Sequence, residues 1–321
     1  MGGTVLITAK SVASCEPALR ILREAGCEVR HTSTPLPYDE SHIAAQLGDI
    51  DAVVFALEPT TRKVITAAPR LKIIARPGVG YDTVDVAAAS ERRIPVTVAA
   101  ANDQSVADFA IGLMLDVARG ITTAANGVQN HGWDRVTGTE VWRKTLTVVG
   151  MGRIGKGVAQ RARGFDMRVL AVDSYRDQAF AAHYGIEYVD LEAGLRAADF
   201  VSLHAPLTAE TDALINAQRI AWMKRGAYVI NTARGGLIDE VALADAVRSK
   251  RLAGAAVDVL RVQGVNSPSV LIGVPGIIVT PHMATFSAEA MERVALMVAQ
   301  SVITALAGGR PEGVINPEIY T

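Results

Sequence analysis

Ten short stretches of this chain read as strands, and most of them are apolar at nearly every position rather than at every second one. The first four are TVLIT (4–8), EVRHT (28–32), AVVFA (52–56) and LKIIAR (71–76). Six follow later: TLTVVG (145–150), RVLAVD (168–173), FVSLHA (200–205), AYVINT (227–232), GAAVDV (254–259) and GIIVTP (276–281). A strand with one face in water alternates; a strand covered on both faces does not, and it is at home in a parallel sheet flanked by helices. Helical patterns, such as EPALRILREAG from Glu16, lie between the strands. The expected fold is therefore α/β, and two strand series imply two such units.

The links between the series follow from the stop signals. A helix is expected from about Ser105, a natural N-cap, to Gly120. The segment 120–144 has little periodicity and two tryptophans, and its length suits an interface or a functional loop. A last long helix, about Ser287 to Ala307, is placed to return to the first unit. Half of the 321 residues are hydrophobic, enough for two cores, and the net charge of −1 gives no general field for nucleic acid or an anionic membrane. Cys15 and Cys27 fit no metal or redox spacing and read as reduced, small hydrophobes. The N-terminus lacks the pattern of a signal peptide, and SVADFAIGLMLDVARG is too short and too charged to span a bilayer. A cytoplasmic protein with no membrane or nucleic-acid partner is the expectation.

One turn carries chemistry. Gly150, Gly152 and Gly155 stand in the spacing GxGxxG, between a strand and a helix, and the next strand ends in Asp173. Gly150 permits a tight turn, Gly152 leaves room for a pyrophosphate against the backbone, and Gly155 lets helix and sheet approach. The helix N-terminus offers N–H groups to phosphate, and Arg153 is near enough in sequence to add a charge. Asp173 suits the two ribose hydroxyls and repels a 2′-phosphate, which favours NAD over NADP; Arg176, three residues on, pulls the other way.

Seven motifs in order along the chain are RPGVGYDTVD (76–85), SVADFAIGLML (105–115), VVGMGRIG (148–155), HAPLTAETDALIN (204–216), NTARGGLIDE (231–240), GAAVDV (254–259) and TPHMA (280–284). With them the chain resembles the D-isomer-specific 2-hydroxyacid dehydrogenases over nearly its whole length. The resemblance implies two Rossmann-like doubly wound parallel-sheet domains, with the cofactor domain inserted into the substrate domain and the active site in the cleft between them. Residues 1–100 with 286–321 would form the substrate domain and 101–285 the NAD-binding domain. It also implies roles. Arg234 is the substrate arginine, whose guanidinium binds carboxylate and carbonyl oxygens in parallel. His282 is the acid/base, suited by its ordinary pKa of about 6.5. Val79 and Gly80 offer backbone N–H groups to the carboxylate, and Arg76 and Asn102 complete the substrate set. For NAD the resemblance implies Gly150, Gly152, Arg153, Ile154, Gly155 and Asp173, with His204, Pro206, Thr232, Ala233 and Asp258 along the path to the nicotinamide. Relatives of this kind pair through the cofactor domain, so a homodimer is expected through the helix 105–120 and the Trp133 segment.

Gln263 departs from the pattern. Most of the family carries a glutamate five residues after the aspartate of GAAVDV, where it hydrogen-bonds the histidine; five from Asp258 lands on Gln263. An amide can orient the ring but cannot stabilise its cation. Three explanations stay open: a shifted register, a member that has lost efficient catalysis, or formate-dehydrogenase-like hydride transfer, which needs no proton from the enzyme. The leading expectation is hydride exchange between NAD and a small D-2-hydroxy acid or its 2-oxo form, with glycerate/hydroxypyruvate, glyoxylate and 3-phosphoglycerate as candidates. Glu58, in LEPTT, disfavours a phosphate. Formate dehydrogenation and a non-catalytic NAD(H)-sensing protein of the same fold are the alternatives.

Overall fold

The structure, a computed structural model, describes residues 2–32 and 38–321. The chain divides into two compact units, Met1–Asn102 with Phe286–Thr321, and Asp103–Thr285. In the first unit, β1 (Thr4–Ile7), β2 (Glu28–His31), β3 (Ala52–Val54), β4 (Ile73–Arg76) and β5 (Val96–Val98) form one parallel sheet in the order β2-β1-β3-β4-β5. The lack of alternation in AVVFA has its cause here. Ala52 and Val54 face one apolar cluster, Val53 and Phe55 another, and all four are fully buried. The last long helix, Ala288–Leu306, packs Val294, Val298 and Val302 into the first of these clusters, one residue per turn. Ser287 caps it by accepting from the Ala290 N–H at 3.2 Å.

The second unit holds seven parallel strands: β6 (Thr145–Val149), β7 (Arg168–Val172), β8 (Glu187–Tyr188), β9 (Phe200–Leu203), β10 (Ala227–Asn231), β11 (Leu252–Val257) and β12 (Ile277–Val279). Their order is β12-β11-β10-β9-β6-β7-β8, with β6 between β9 and β7. The chain therefore leaves β6 in one direction and returns on its other side, which opens a crevice at the strand ends. Again both faces are covered: Ala227 and Val229 of β10 join one core, Tyr228 and Ile230 the other. Both units are thus doubly wound parallel α/β sheets.

Four local features differ from the sequence reading. β5 and the two-residue β8 were not foreseen. The helix expected from Ser105 begins at Asp103, so Ser105 is not its cap; its hydroxyl donates instead to the Ala284 carbonyl at 2.9 Å, tying the helix to the TPHMA loop. Within 120–144 a helix, Ile121–Gln129, follows the left-handed Gly120 (φ 62°). None of its residues is buried, so no apolar stripe marked it in the sequence. No helix among the described residues is long and apolar enough to cross a membrane.

Candidate active site

The glycine turn after β6 is shaped by contact. Gly150 has φ 94°, and a Cβ there would lie 2.5 Å from the Ala205 nitrogen. A Cβ on Gly155 would lie 2.0 Å from the Gly150 oxygen, so the helix Arg153–Ala162 reaches the turn only because both are glycine. Gly152 is different: a Cβ there meets nothing within 4 Å. That open position is the first residue before a ten-residue helix, where backbone N–H groups face outward and suit a phosphate. Ile154 lies in the first turn of that helix.

Asp173 follows β7 and leans back on the turn. Its carboxylate accepts from the Met151 N–H at 2.6 Å and the Tyr175 N–H at 2.8 Å, which fixes it beside the glycines. Arg153 is held by Asp103 at 3.0 Å, and Arg176 lies over the Tyr188 ring, 5.9 Å from its centroid.

Further along the same strand ends, His204 Nε2 is 2.7 Å from the Ser202 hydroxyl. Its Nδ1 and the Thr232 Oγ1 are buried without a hydrogen-bond partner among the described residues. β9 and β10 are paired neighbours, so the two atoms end adjacent strands. Burial pulls the His204 pKa down to about 4, so the ring is neutral near pH 7. Buried polar atoms left unsatisfied by the protein are what a ligand with its own donors and acceptors completes. Together with the open Gly152 position and the anchored Asp173, they fit a dinucleotide. Pro206 and Ala233 are bound into local turns: the Pro206 carbonyl accepts from the Thr211 hydroxyl, and the Ala233 N–H donates to Asn231 Oδ1 at 3.0 Å.

Three chemical groups end β10, β11 and β12, which are consecutive in the sheet. Arg234 stands three residues past β10 in a turn pressed against the next loop; a Cβ on Gly235 would lie 2.1 Å from the Leu260 carbonyl carbon. Arg261 strengthens that contact, donating to the Gly236 carbonyl at 3.1 Å and pairing with Asp212 at 2.9 Å. Gln263, in the loop after β11, places its Oε1 2.8 Å from His282 Nδ1. An amide oxygen there requires Nδ1 to carry the hydrogen, which leaves Nε2 as the exchanging nitrogen.

Asp258 has a part that the sequence did not reveal. It is 1% exposed, and its carboxylate accepts from Thr280 Oγ1 (2.6 Å), Met283 N (2.9 Å) and Ala284 N (2.8 Å). Its carbonyl accepts from the His282 N–H at 2.9 Å. These bonds clamp the loop in which His282 takes the left-handed φ of 54°, a region that few residues with a side chain enter and histidine enters more readily than most. The only trace in the sequence is an acid at the end of an apolar strand. A cavity of about 460 Å³ lined by Asp239, Glu240, Arg261 and Pro268 flanks the Gln263 loop, apart from the three groups.

Arg76, Val79, Gly80 and Asn102 belong to the first unit. Arg76 ends β4 and is buried; its Nε donates to the Gly80 carbonyl at 3.3 Å, which closes the GVG turn over it. Val79 is 42% exposed on that turn, and Gly78 has φ 143° with open space at its Cβ position. Asn102 is buried at the end of the segment.

Residues 111–284 match the family described as D-isomer specific 2-hydroxyacid dehydrogenase, NAD binding domain. A glyoxylate reductase of Korarchaeum cryptofilum is 38% identical over 291 residues, 88% of either chain. A D-3-phosphoglycerate dehydrogenase of Mycobacterium leprae is 41% identical over 303 residues; this chain spans 57% of its length. Among solved structures, the TT0316 protein of Thermus thermophilus superposes with a TM-score of 0.89 at 34% identity, covering 97% of this chain and 99% of that one.

Proposed function

The chain belongs to the D-isomer specific 2-hydroxyacid dehydrogenase family, an NAD-dependent oxidoreductase of hydroxy acids, and on that premise we propose that it reduces a small 2-oxo acid to the D-2-hydroxy acid. NADH, when bound, supplies the hydride that arrives at C2. Arg234 holds the substrate's carboxylate and carbonyl oxygens with parallel N–H bonds, and its charge stabilises the oxygen as the C=O bond is reduced. His282 gives its Nε2 proton to that oxygen, so the carbonyl becomes a hydroxyl and the imidazole ends neutral. In the reverse direction the neutral ring takes the proton back. Val79, Gly80, Arg76 and Asn102 are proposed as further substrate-binding residues. The observation that carries this reading is the Gln263–His282 contact at 2.8 Å, with His282 on a loop clamped by Asp258 and Gln263 one strand from Arg234.

The test is NADH oxidation with glyoxylate, hydroxypyruvate, pyruvate and phosphohydroxypyruvate, and NAD⁺ reduction with formate, across pH. Turnover of a 2-oxo acid supports the proposal. Tight NADH binding with no turnover of any of them favours a sensor, and turnover of formate alone favours the formate chemistry that a glutamine beside the histidine permits.

Gln263 makes a pH prediction. Glutamate at this position would place a negative charge about where Oε1 now stands and favour the imidazolium. Reduction needs His282 protonated, so its alkaline limb in Gln263→Glu should move up by roughly one pH unit, and the acid limb of oxidation should move up with it. Limbs that stay in place in a pH–rate profile of both directions would show that the residue does not face the ring in solution.

The reading includes a cytoplasmic homodimer, because the reaction draws on the cell's NAD pool and one surface of the second unit is apolar without cover. The helix expected at this interface, Asp103–Arg119, buries eight of its residues in its own unit, so the proposed face is the helix Ile121–Gln129, which buries none, with Trp133, which is 80% exposed. Aromatic side chains of this kind anchor interfaces. Light scattering at micromolar concentration should give twice the 33.9 kDa chain mass; the single-chain mass would remove the dimer.

A further inference from the structure

Gln263 sits on a loop that burial does not hold. Residues 261–266 are all exposed, with Val262 at 54% and Val265 at 87%. On one side the loop borders the cavity of about 460 Å³ rather than packed side chains. Gly264 and Asn266 both take positive φ, 122° and 61°. Ordering such a segment costs conformational entropy, and polar bonds must supply what burial does not.

Those bonds converge on one carboxylate. Glu240 Oε1 accepts the Arg261 N–H at 2.7 Å, and Oε2 accepts the Ser269 hydroxyl at 2.6 Å. Arg261 precedes Gln263 and Ser269 follows it, so a single side chain fixes both ends of the segment with charge-assisted bonds. Between the ends, the Ser267 hydroxyl donates to the Val262 carbonyl at 2.5 Å and the Ser267 N–H to the Gly264 carbonyl at 3.2 Å, which folds the segment around Gln263. The Arg261 guanidinium also pairs with Asp212, but a flexible side chain stands between that tie and the backbone; Glu240 holds the backbone N–H itself. Glu240 is firmly mounted. It opens the helix Glu240–Arg248, whose Leu243, Ala244, Ala246 and Val247 are buried, and Asp239 caps that helix by accepting from the Val241 and Ala242 N–H groups at 3.1 Å.

The contacts therefore run from Glu240 through the loop to Gln263 Oε1, and from there to His282 Nδ1 at 2.8 Å. Resting on the reading of His282 as the proton donor, we propose that Glu240 is a positioning residue: its carboxylate holds the 261–269 loop so that Gln263 keeps a hydrogen on Nδ1 and leaves Nε2 to exchange the proton with substrate. It acts through Gln263 and not by contact with the reacting atoms. A neutral imidazole that loses its acceptor at Nδ1 can take the other tautomer, with the hydrogen on Nε2, or turn about its side chain. Either change misdirects the nitrogen that must give and take the proton.

The test joins tautomer spectroscopy to kinetics. In protein carrying isotope-labelled histidine, NMR distinguishes the two ring nitrogens of neutral His282, whose signals are assigned by their loss in His282→Asn. The wild type should carry the hydrogen on Nδ1. Glu240→Ala should move His282 toward the Nε2–H form and lower kcat for the preferred 2-oxo acid by about tenfold, with the Kd for NADH within about twofold. Glu240→Gln keeps an acceptor for the Arg261 N–H and offers an N–H to the Ser269 hydroxyl, so it should bring back most of the Nδ1–H form and of kcat. In a Gln263→Ala background, Glu240→Ala should lower kcat by less than about twofold, because the path is already cut. Nδ1–H at wild-type strength in Glu240→Ala overturns the proposal, and so does a wild type without hydrogen on Nδ1. A full tenfold loss on top of Gln263→Ala, about the same as in the wild-type background, also overturns it, since that marks a residue that serves the fold and not the contact. If the wild type turns over no 2-oxo acid, the hydroxy-acid reading fails, while the tautomer comparison between wild type and Glu240→Ala still decides whether Glu240 holds Gln263 on the ring.

Discussion

Replacing His282 with asparagine should lower kcat for reduction of the preferred 2-oxo acid by about 10³-fold while the Kd for NADH stays within about twofold. Asparagine is the right replacement because of the backbone. His282 sits at φ 54°, and asparagine enters that region more readily than other residues with a side chain of useful size. The four bonds from the loop to Asp258 should therefore survive, since three involve Thr280, Met283 and Ala284 and the fourth is the N–H of residue 282 itself. What is lost is the proton. A neutral amide has none to give at Nε2's position, and the carbonyl oxygen must then be protonated from water as the hydride arrives. Whatever rate remains should no longer decline along the alkaline limb that the imidazole imposes on the wild type. Stopped-flow turnover and NADH fluorescence titration measure the two quantities. A loss below tenfold in kcat would mean that the imidazole is not the proton donor and would return weight to formate-type chemistry. A large loss of NADH affinity would mean that the loop had collapsed.

How much of this was legible before the structure differs from residue to residue. The doubly wound architecture could be read because each inner strand is apolar on both faces: Val53 and Val54 point to opposite cores, as do Val229 and Ile230. Gly150 and Gly155 were legible because a missing side chain at a close approach leaves a fixed spacing. The helix Ile121–Gln129 was not, since a helix that buries nothing within its own chain carries no stripe. Ser105 misled because a serine before an apolar run resembles a cap, whereas here its hydroxyl is used by the Ala284 carbonyl, 179 residues away. Burial hid two acids. Glu58 lies between a leucine and a proline in a loop that looks solvated, yet it is 3% exposed. Asp258 has no local sign of its four-bond grip on residues 280–284, because its partners arrive from the next strand. Pattern reports the faces of elements; it does not report which distant loop a polar group will meet.

Arg234→Ala should reduce kcat/KM for the 2-oxo acid by about 10³-fold. Two charge-assisted hydrogen bonds to the substrate are removed, each worth about 2 kcal/mol, and about 4 kcal/mol corresponds to three decades. The loss should appear in both KM and kcat. The carboxylate contact is made equally to substrate and transition state, but the contact to the carbonyl oxygen strengthens as that oxygen gains charge. Arg234→Lys restores the charge without the planar pair of donors and should recover no more than about tenfold. The turn itself should stand in both variants. Gly235 presses on Leu260, Arg261 holds the Gly236 carbonyl, and Asn231 Nδ2 donates to the carbonyl of residue 234, none of which uses the Arg234 side chain. Oxalate, a planar dicarboxylate without a reducible ketone, separates the two contributions. Its Ki should rise steeply in Arg234→Ala if the guanidinium binds the acid, and NADH affinity should hold. Full affinity for oxalate combined with lost turnover would place the arginine on the carbonyl alone, and unchanged kcat/KM would take it out of the site altogether.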